Sequence, residues 1–274
     1  MIRLMLASAA IAALLAGGPA LAADQKVKAP IFTKAPVIPV FSWTGFYLGA
    51  NAGGHWGRDN ISTTTSANFN LASRTALDLA SPVTLRPEGW LAGVQVGYNA
   101  EFNHVVLGLE GDADWLNGTA SRSLVFAGLN PTAGDTLSNS TQGTFLATLR
   151  PRLGVAYDRT LFYVTGGLAV GTVKTTDSMT VTGGAVLEST SDTKTRVGWT
   201  AGGGFEYAFT DNWSAKVEVL HVDLGGTYDT GIPCVVVCGA AATDILVHHK
   251  YTDNIARFGI NYRLGGAAAV AVKY

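Results

Sequence analysis

The sequence predicts an all-β chain: eight antiparallel strands closed into a transmembrane β-barrel, with short turns at one end and four long loops at the other. Three observations carry this expectation. Only 14% of the 274 residues are Asp, Glu, Lys or Arg, while 47% are hydrophobic; a soluble domain has roughly 25% charged residues. Beyond the N-terminal segment no apolar run reaches the ~18 residues of a spanning helix, and apolar residues recur instead at alternate positions, the period of a strand. The connections between these alternating stretches are by turns long and short, as in membrane β-barrels. The 33 glycines fall largely inside the strand patterns, where a crowded lumen has little room. A formal net charge of −1 without a basic patch leaves no nucleic-acid footprint.

Residues 1–22 read as an export signal. Arg3 supplies the positive start, Leu4 to Leu15 the apolar core and Ala20-Leu21-Ala22 the small-residue cleavage site, with Ala23 as the first mature residue. Residues 23–42 form a lead-in with Pro30, Pro36 and Pro39 among Lys26, Lys28 and Lys34. Proline fixes the backbone and lacks a donor, so this stretch is expected to be an extended, solvated periplasmic segment.

The barrel is expected over residues 43–264. The first strand, about Trp43 to Gly57, puts Phe46, Leu48, Ala50, Ala52 and Trp56 on one face and Tyr47, Gly49, Asn51, Gly53 and His55 on the other. The second, about Glu88 to Phe102, turns near Asn103 into the third, about Val105 to Trp115. In the third, Glu110, Asp112 and Asp114 recur at every second position opposite Leu107, Leu109, Ala113 and Trp115. Acids at that spacing suit a polar lumen and not a lipid face. The fourth, about Gly143 to Tyr157, directs Arg150 and Arg152 inward, with a bulge or local bend expected at Pro151. Asp158-Arg159 turns into the fifth, about Leu161 to Val173. The sixth, about Arg196 to Phe209, carries Glu206 inward; the seventh, about Trp213 to Leu224, carries Lys216 and Glu218. The eighth, about Asn254 to Leu264, carries Arg257, Asn261 and Arg263.

The long connections are residues 58–87, 116–142, 174–195 and 225–253, rich in Ser, Thr, Asn, Asp and Gly. They are expected to be extracellular loops, and the short turns periplasmic. A soluble lipocalin-like barrel also has eight strands, but it would have to bury the charged face.

The inward charges Glu110, Asp112, Asp114, Arg150, Arg152, Glu206, Lys216, Glu218, Arg257 and Arg263 are expected to form a salt-bridge network that plugs the lumen. An eight-stranded barrel is only just wide enough to be filled by side chains, and buried charges must be paired. A catalytic reading of Glu110 with Asp112 is less economical, and no Ser, His and Asp arrangement for nucleophilic catalysis is recognisable. No enzyme and no metal site are expected. Cys234 and Cys238 are expected to close a small loop by a disulfide, since export favours oxidation; a zinc site with His248 and His249 is the weaker alternative.

Several stretches together resemble the small outer-membrane β-barrel proteins of Gram-negative bacteria, the porin-family or OmpA-like barrels, in their alpha-proteobacterial surface-antigen branch. They are Phe41-Ser42-Trp43-Thr44-Gly45-Phe46-Tyr47, Gly93-Val94-Gln95-Val96-Gly97-Tyr98-Asn99, Arg150-Pro151-Arg152-Leu153-Gly154, Trp213-Ser214-Ala215-Lys216-Val217-Glu218 and Arg257-Phe258-Gly259-Ile260-Asn261-Tyr262-Arg263. The resemblance spans essentially the whole mature chain. It implies an outer-membrane location and a structural or surface role, with haem or host contact in some members. His248, His249 and Tyr251 are the candidate haem ligands; otherwise no cofactor is expected. The function expected is a structural barrel that displays surface loops. A small porin passing ions or solutes is one alternative, and a loop-borne haem or host-surface receptor is another. Outer-membrane lipid, lipopolysaccharide and the barrel-insertion machinery are the expected partners; the loop ligand is not named by the sequence. In such families the last strand commonly ends the chain in an aromatic residue. Here residues 265–274 follow Leu264, so either Tyr274 supplies that end through a continued strand or the tail is a periplasmic extension.

Overall fold

The computed structural model describes residues 41–65, 75, 81–127, 134–180, 186–233 and 243–264. The export signal, the lead-in before Phe41, Cys234, Cys238 and the tail after Leu264 lie outside these residues. The described strands are β1 (Gly45–Thr65), β2 (Val83–Leu85), β3 (Glu88–Phe102), β4 (Val105–Asn117), β5 (Thr119–Ala127) and β6 (Gly134–Tyr157). They continue with β7 (Thr160–Thr180), β8 (Val186–Ala208), β9 (Trp213–Asp223), β10 (Tyr228–Pro233) and β11 (Thr243–Leu264). Eight of them close a ring in the order β1-β3-β4-β6-β7-β8-β9-β11, and β11 returns to β1. Every pairing is antiparallel, and the closing seam runs from Phe46↔Leu264 to Thr65↔Ile245. Closure pairs the backbone groups that an open edge would leave bare, which is the condition for strands to sit in hydrocarbon.

Near the turns the two faces divide by solvent as the alternation requires. Outward side chains are apolar and bare: Phe46 is 59% exposed, Leu149 50% and Phe258 50%. Inward ones are polar and closed off, with Glu110, Arg150 and Lys216 all at 0%. Tyr98, Tyr157, Tyr207, Trp213 and Tyr262 ring the turn end of this belt, and Trp56, Trp90, Trp115 and Trp199 ring the loop end. From Phe46 to Trp56, at ~3.4 Å per residue and a tilt of ~45°, the belt rises about 24 Å, close to the ~25 Å apolar band of a membrane barrel.

Above the tryptophans the pattern inverts. Ile61, Leu137, Met179 and Val247 now face inward and are buried, while Asn60, Ser138, Lys174 and Lys250 face outward. The same strands pass from a lipid-facing barrel into one built like a soluble barrel. The described parts of the four stretches expected to be loops are therefore largely continued strand: β6 has 24 residues, β8 23, β11 22, and β1 and β7 21 each. Spanning needs only ~9–11. The short strands complete the upper tier, β2 pairing with β1, β5 with β6, and β10 with β11. The boundaries were misplaced because the outward apolar residues stop at the membrane surface. Thr and Ser replace them, and Thr is a good strand former.

Two local expectations are also corrected. The bulge in β6 falls between Gly143 and Phe145, not at Pro151. Pro151 faces outward, opposite Leu109, and the ladder to β7 keeps its register across it while omitting Arg150 and Pro151 as pairs. Trp43 precedes β1 and is buried at 4%. The turns agree with their residues: Asn103 and His104 both have positive φ (46 and 73), the two-residue hairpin geometry that favours Asn.

Gly97 shows how tightly the lumen is filled. A Cβ there would lie 2.3 Å from the Tyr47 hydroxyl and 2.8 Å from the Leu109 carbonyl oxygen. Gly97→Val is expected to lower stability by about 1–3 kcal/mol through overpacking, measured by urea unfolding of refolded protein in micelles. Ala92→Val, on the outward face, serves as the control, and equal effects of the two would contradict this packing.

Candidate functional site

The inward charges of the lower barrel meet at Glu110 on β4. Its carboxylate accepts from Arg150 at 2.7 Å, from Lys216 at 2.9 Å, from Arg152 at 3.3 Å and from the Tyr47 hydroxyl at 2.8 Å. Arg150 sits directly across from Glu110 in the β4–β6 register. Lys216 reaches it from β9 on another wall, past its own cross-strand neighbour Glu206. Arg150 also donates to Asp112 at 2.7 Å and lies 3.2 Å from Glu218. Arg257, paired in register with Glu218, donates to it at 2.9 Å, to Asp114 at 2.6 Å and to Asp112 at 3.2 Å. Arg152 donates to Glu206 at 2.9 Å and lies 3.9 Å from the centre of the Tyr163 ring.

Glu110, Asp112, Asp114, Glu206 and Glu218 outnumber Arg150, Arg152, Lys216 and Arg257. Neutral donors meet part of the surplus: Thr148 donates to Asp112 at 2.7 Å, Tyr163 to Glu218 at 3.0 Å and Asn261 to Glu206 at 2.7 Å, while Asp114 Oδ1 is buried without a hydrogen bond among the described residues. Arg263 stands apart. At the turn end its guanidinium donates to the carbonyls of Ser42 and Asp211, and it lies 4.5 Å from the centre of the Phe41 ring.

Apolar layers close both ends of this charged layer. On the turn side Trp43, Val106, Ala156, Leu161, Tyr163 and Ala208 pack together, with Phe41 against them. On the loop side Leu91, Leu146, Val173, Leu220, Leu224 and Ile255 form a second cluster with Tyr251. The cavity at the turn-side mouth and the one beside the upper cluster are each only about 10 Å³, about the least that holds one water.

A second polar layer lies above the tryptophans, outside the membrane belt. The His249 Nδ1 is 2.8 Å from Asp59, and its Nε2 is 3.2 Å from the Thr230 hydroxyl and 3.6 Å from Asp177. Thr141 donates to Asp59 at 2.8 Å, and Asn139 donates to Asp177 at 2.7 Å. The Tyr228 ring stacks on the imidazole at 5.0 Å. Burial opposes a charge on His249, but hydrogen bonds to Asp177 and Asp59 and their negative charges outweigh it and raise its pKa to about 9. Burial likewise works against the Asp177 carboxylate, yet its hydrogen bonds with His249, Asn139 and Thr230 hold it below its ordinary value. Between the two polar layers His55 Nδ1 lies 3.0 Å from Asp253, which also accepts from Tyr251 at 3.2 Å.

The candidate haem ligands do not converge. His249 faces the lumen, while His248 faces outward, with Nδ1 on Asp229 at 2.5 Å and Nε2 on Thr64 at 3.0 Å. Neighbouring residues of one strand point to opposite faces, so one group cannot take both imidazoles here. Tyr251 is buried with its hydroxyl spent on Asp253. Sequence reasoning missed Tyr47, Tyr163, Asp59 and Asp177. The two tyrosines were visible as inward positions. The two aspartates would have emerged had the period-2 count been carried past the tryptophans.

Arg150→Met removes one of the two guanidinium groups, the other being Arg257, that bridge Glu110, Asp112 and Glu218, and is expected to cost about 3–5 kcal/mol in urea unfolding. Arg159→Met, which breaks the exposed 2.7 Å pair with Asp211, should cost under about 1 kcal/mol. The upper layer predicts a pH dependence. The folded-state pKa of His249 is raised from 6.5 to about 9, so its contribution is complete below 6.5 and is lost as pH rises through 9. Unfolding free energy should fall over that interval in wild type and fall less in His249→Gln, whereas parallel profiles would contradict the assignment.

A family model described as outer membrane protein β-barrel domain matches residues 8–263. The chain is 39% identical over 219 residues to the 31 kDa outer-membrane immunogenic protein of Brucella melitensis biotype 1, covering 79% of this chain and 85% of that protein. It is 29% identical over 246 residues to the 25 kDa outer-membrane immunogenic protein of Brucella abortus biovar 1, covering 89% and 90%. It is also 29% identical over 193 residues to the 22 kDa outer membrane protein of Rhizobium leguminosarum bv. viciae, covering 69% and 68%. A closed ring with a lipid-type belt, a family model over nearly the whole chain and these relatives agree: the chain belongs to the alpha-proteobacterial outer-membrane β-barrel family and lies in the outer membrane of a Gram-negative bacterium.

Proposed function

We propose that this protein is a non-enzymatic structural barrel, closed to solutes, that carries its upper tier and loops to the cell surface. The observation that carries the reading is the sealed lumen. The guanidinium and ammonium groups around Glu110 are committed to carboxylates, and apolar clusters lie on both sides of them. A pore would need a continuous wet path, and a charged residue freed to line it would leave its partner buried alone. Catalysis would need a nucleophile or base open to substrate, whereas Glu110, His55 and His249 are all at 0% exposure. The names of the Brucella relatives describe immunogenic outer-membrane proteins, which supports a role in surface display. Residues 1–22 serve in this reading as a cleaved export signal, and residues 23–42 as the periplasmic lead-in.

The test is electrical. Refolded protein, its fold verified by heat-modifiable gel mobility, should give no stable single-channel steps in planar bilayers between pH 5 and 8. A steady conductance would overturn the closed reading in favour of a porin.

A further inference from the structure

The cations of the charged layer find their counter-charges within the barrel, but a set on the outer wall does not. Arg58 on β1 and Arg86, just past β2, are both exposed and face the same way. Their segments pair at Asp59↔Leu85 and again at Trp56↔Glu88, and the register between those rungs sets the two arginines side by side. Lys250, opposite Asn60 on the other flank of β1, is exposed on the same wall. Like charges directly opposite one another in a sheet are destabilising. Among the described residues none of the three has an ion-pair partner. Three carboxylates share this stretch of wall: Glu88, next but one to Arg86 in the chain; Asp223, which accepts the Gly225 N–H at 2.8 Å; and Asp229, opposite His248 and 2.5 Å from its Nδ1.

Directly beneath, at the level of the tryptophan ring, lies an open groove of about 390 Å³. Its walls are Trp56, Ala201, Val219 and Ala256, and its upper end carries His221 and Asn254, joined at 2.8 Å. Trp56, Asn254, His221 and Ala201 form one rung across β1, β11, β9 and β8. The groove therefore opens into the outer leaflet, immediately below Arg58. Polar cations above an apolar slot at a membrane surface match one chemistry, a phosphate carried on acyl chains. Guanidinium groups bind phosphate through short, charge-assisted hydrogen bonds. An anion shared by Arg58 and Arg86 would also turn their repulsion into a bridge.

We propose that Arg58, Arg86 and Lys250 hold the phosphate of a phosphorylated, multi-acyl lipid of the outer leaflet, with one acyl chain lying in the groove bounded by Trp56, Val219 and Ala256. The inference rests on the outer-membrane location and is independent of whether the lumen conducts.

Wild type, Arg58→Gln/Arg86→Gln and the groove-filling Ala201→Phe/Ala256→Phe are reconstituted in phosphatidylcholine nanodiscs doped with bisphosphorylated lipid A or its fully dephosphorylated form. Lipid retained after extraction is counted by native mass spectrometry. Wild type should retain the phosphorylated form about tenfold more than the dephosphorylated one. The arginine variant should lose that preference, and the groove variant should retain less of the phosphorylated lipid. Equal retention by wild type and the arginine variant would overturn the proposal. So would wild-type retention in the groove variant combined with full displacement of lipid by inorganic phosphate, since that marks a free-anion site. Folding is verified by gel mobility, and Arg86→Gln alone replaces the double variant if that fails to fold.

Discussion

An eight-stranded ring leaves no room for bulk water beside its side chains, so the carboxylate of Glu110 can be buried because Arg150 and Arg152 from β6 and Lys216 from β9 reach it. Much of the lower barrel follows from that condition. Arg150 must face inward, which sets the face of β6, and Lys216 must cross the lumen, which sets the face of β9. A slip of one residue in either strand would put a charge into lipid and an apolar residue into the network. The pairing is thus better understood as fixing register than as a large net gain in stability, because the desolvation of each ion offsets much of its attraction.

The layers above and below make the network possible. Phe41 and Trp43 at one end, and Leu91, Leu220 and Ile255 at the other, keep water from competing for the same hydrogen bonds. Low polarity around a paired set strengthens each pair and penalises each unpaired atom. His249 with Asp59 and Asp177 repeats the arrangement at smaller scale above the membrane, where β2, β5 and β10 help to close the wall. A stack of apolar and polar layers lines the strands beyond the bilayer, so the described part of the upper tier is built as paired strand.

The strand faces in the membrane were legible because lipid and lumen impose opposite requirements on adjacent residues. Trp90 to Tyr98 and Val105 to Trp115 could hardly be read otherwise, and β3 begins and ends at the residues expected, Glu88 and Phe102. Glu110, Asp112 and Asp114 announced a polar interior by their spacing alone. What was not legible lies beyond the tryptophans. There water bathes the outer wall, Thr and Ser replace the apolar residues, and the alternation loses contrast though the strand continues. Asp59 and Asp177 were read as loop residues for that reason. Pro151 misled in the other direction: a missing donor was expected to distort the ladder, but the ladder tolerates the gap without a change of register.

The same side chain serves opposite ends on the two faces of one strand wall. Arg150 and Arg257 point inward and are neutralised by carboxylates that the chain itself supplies. Arg58 and Arg86 point outward, side by side, with no such partner among the described residues. A folded chain that gives each of these inner guanidinium groups a carboxylate has the means to pair the outer ones, and Glu88 lies close enough in sequence to have done so. Leaving them unpaired just above the tryptophan ring makes sense if their counter-charge is part of the membrane. On that view the barrel is finished electrostatically by two sources: its own carboxylates inside, and the outer leaflet around it.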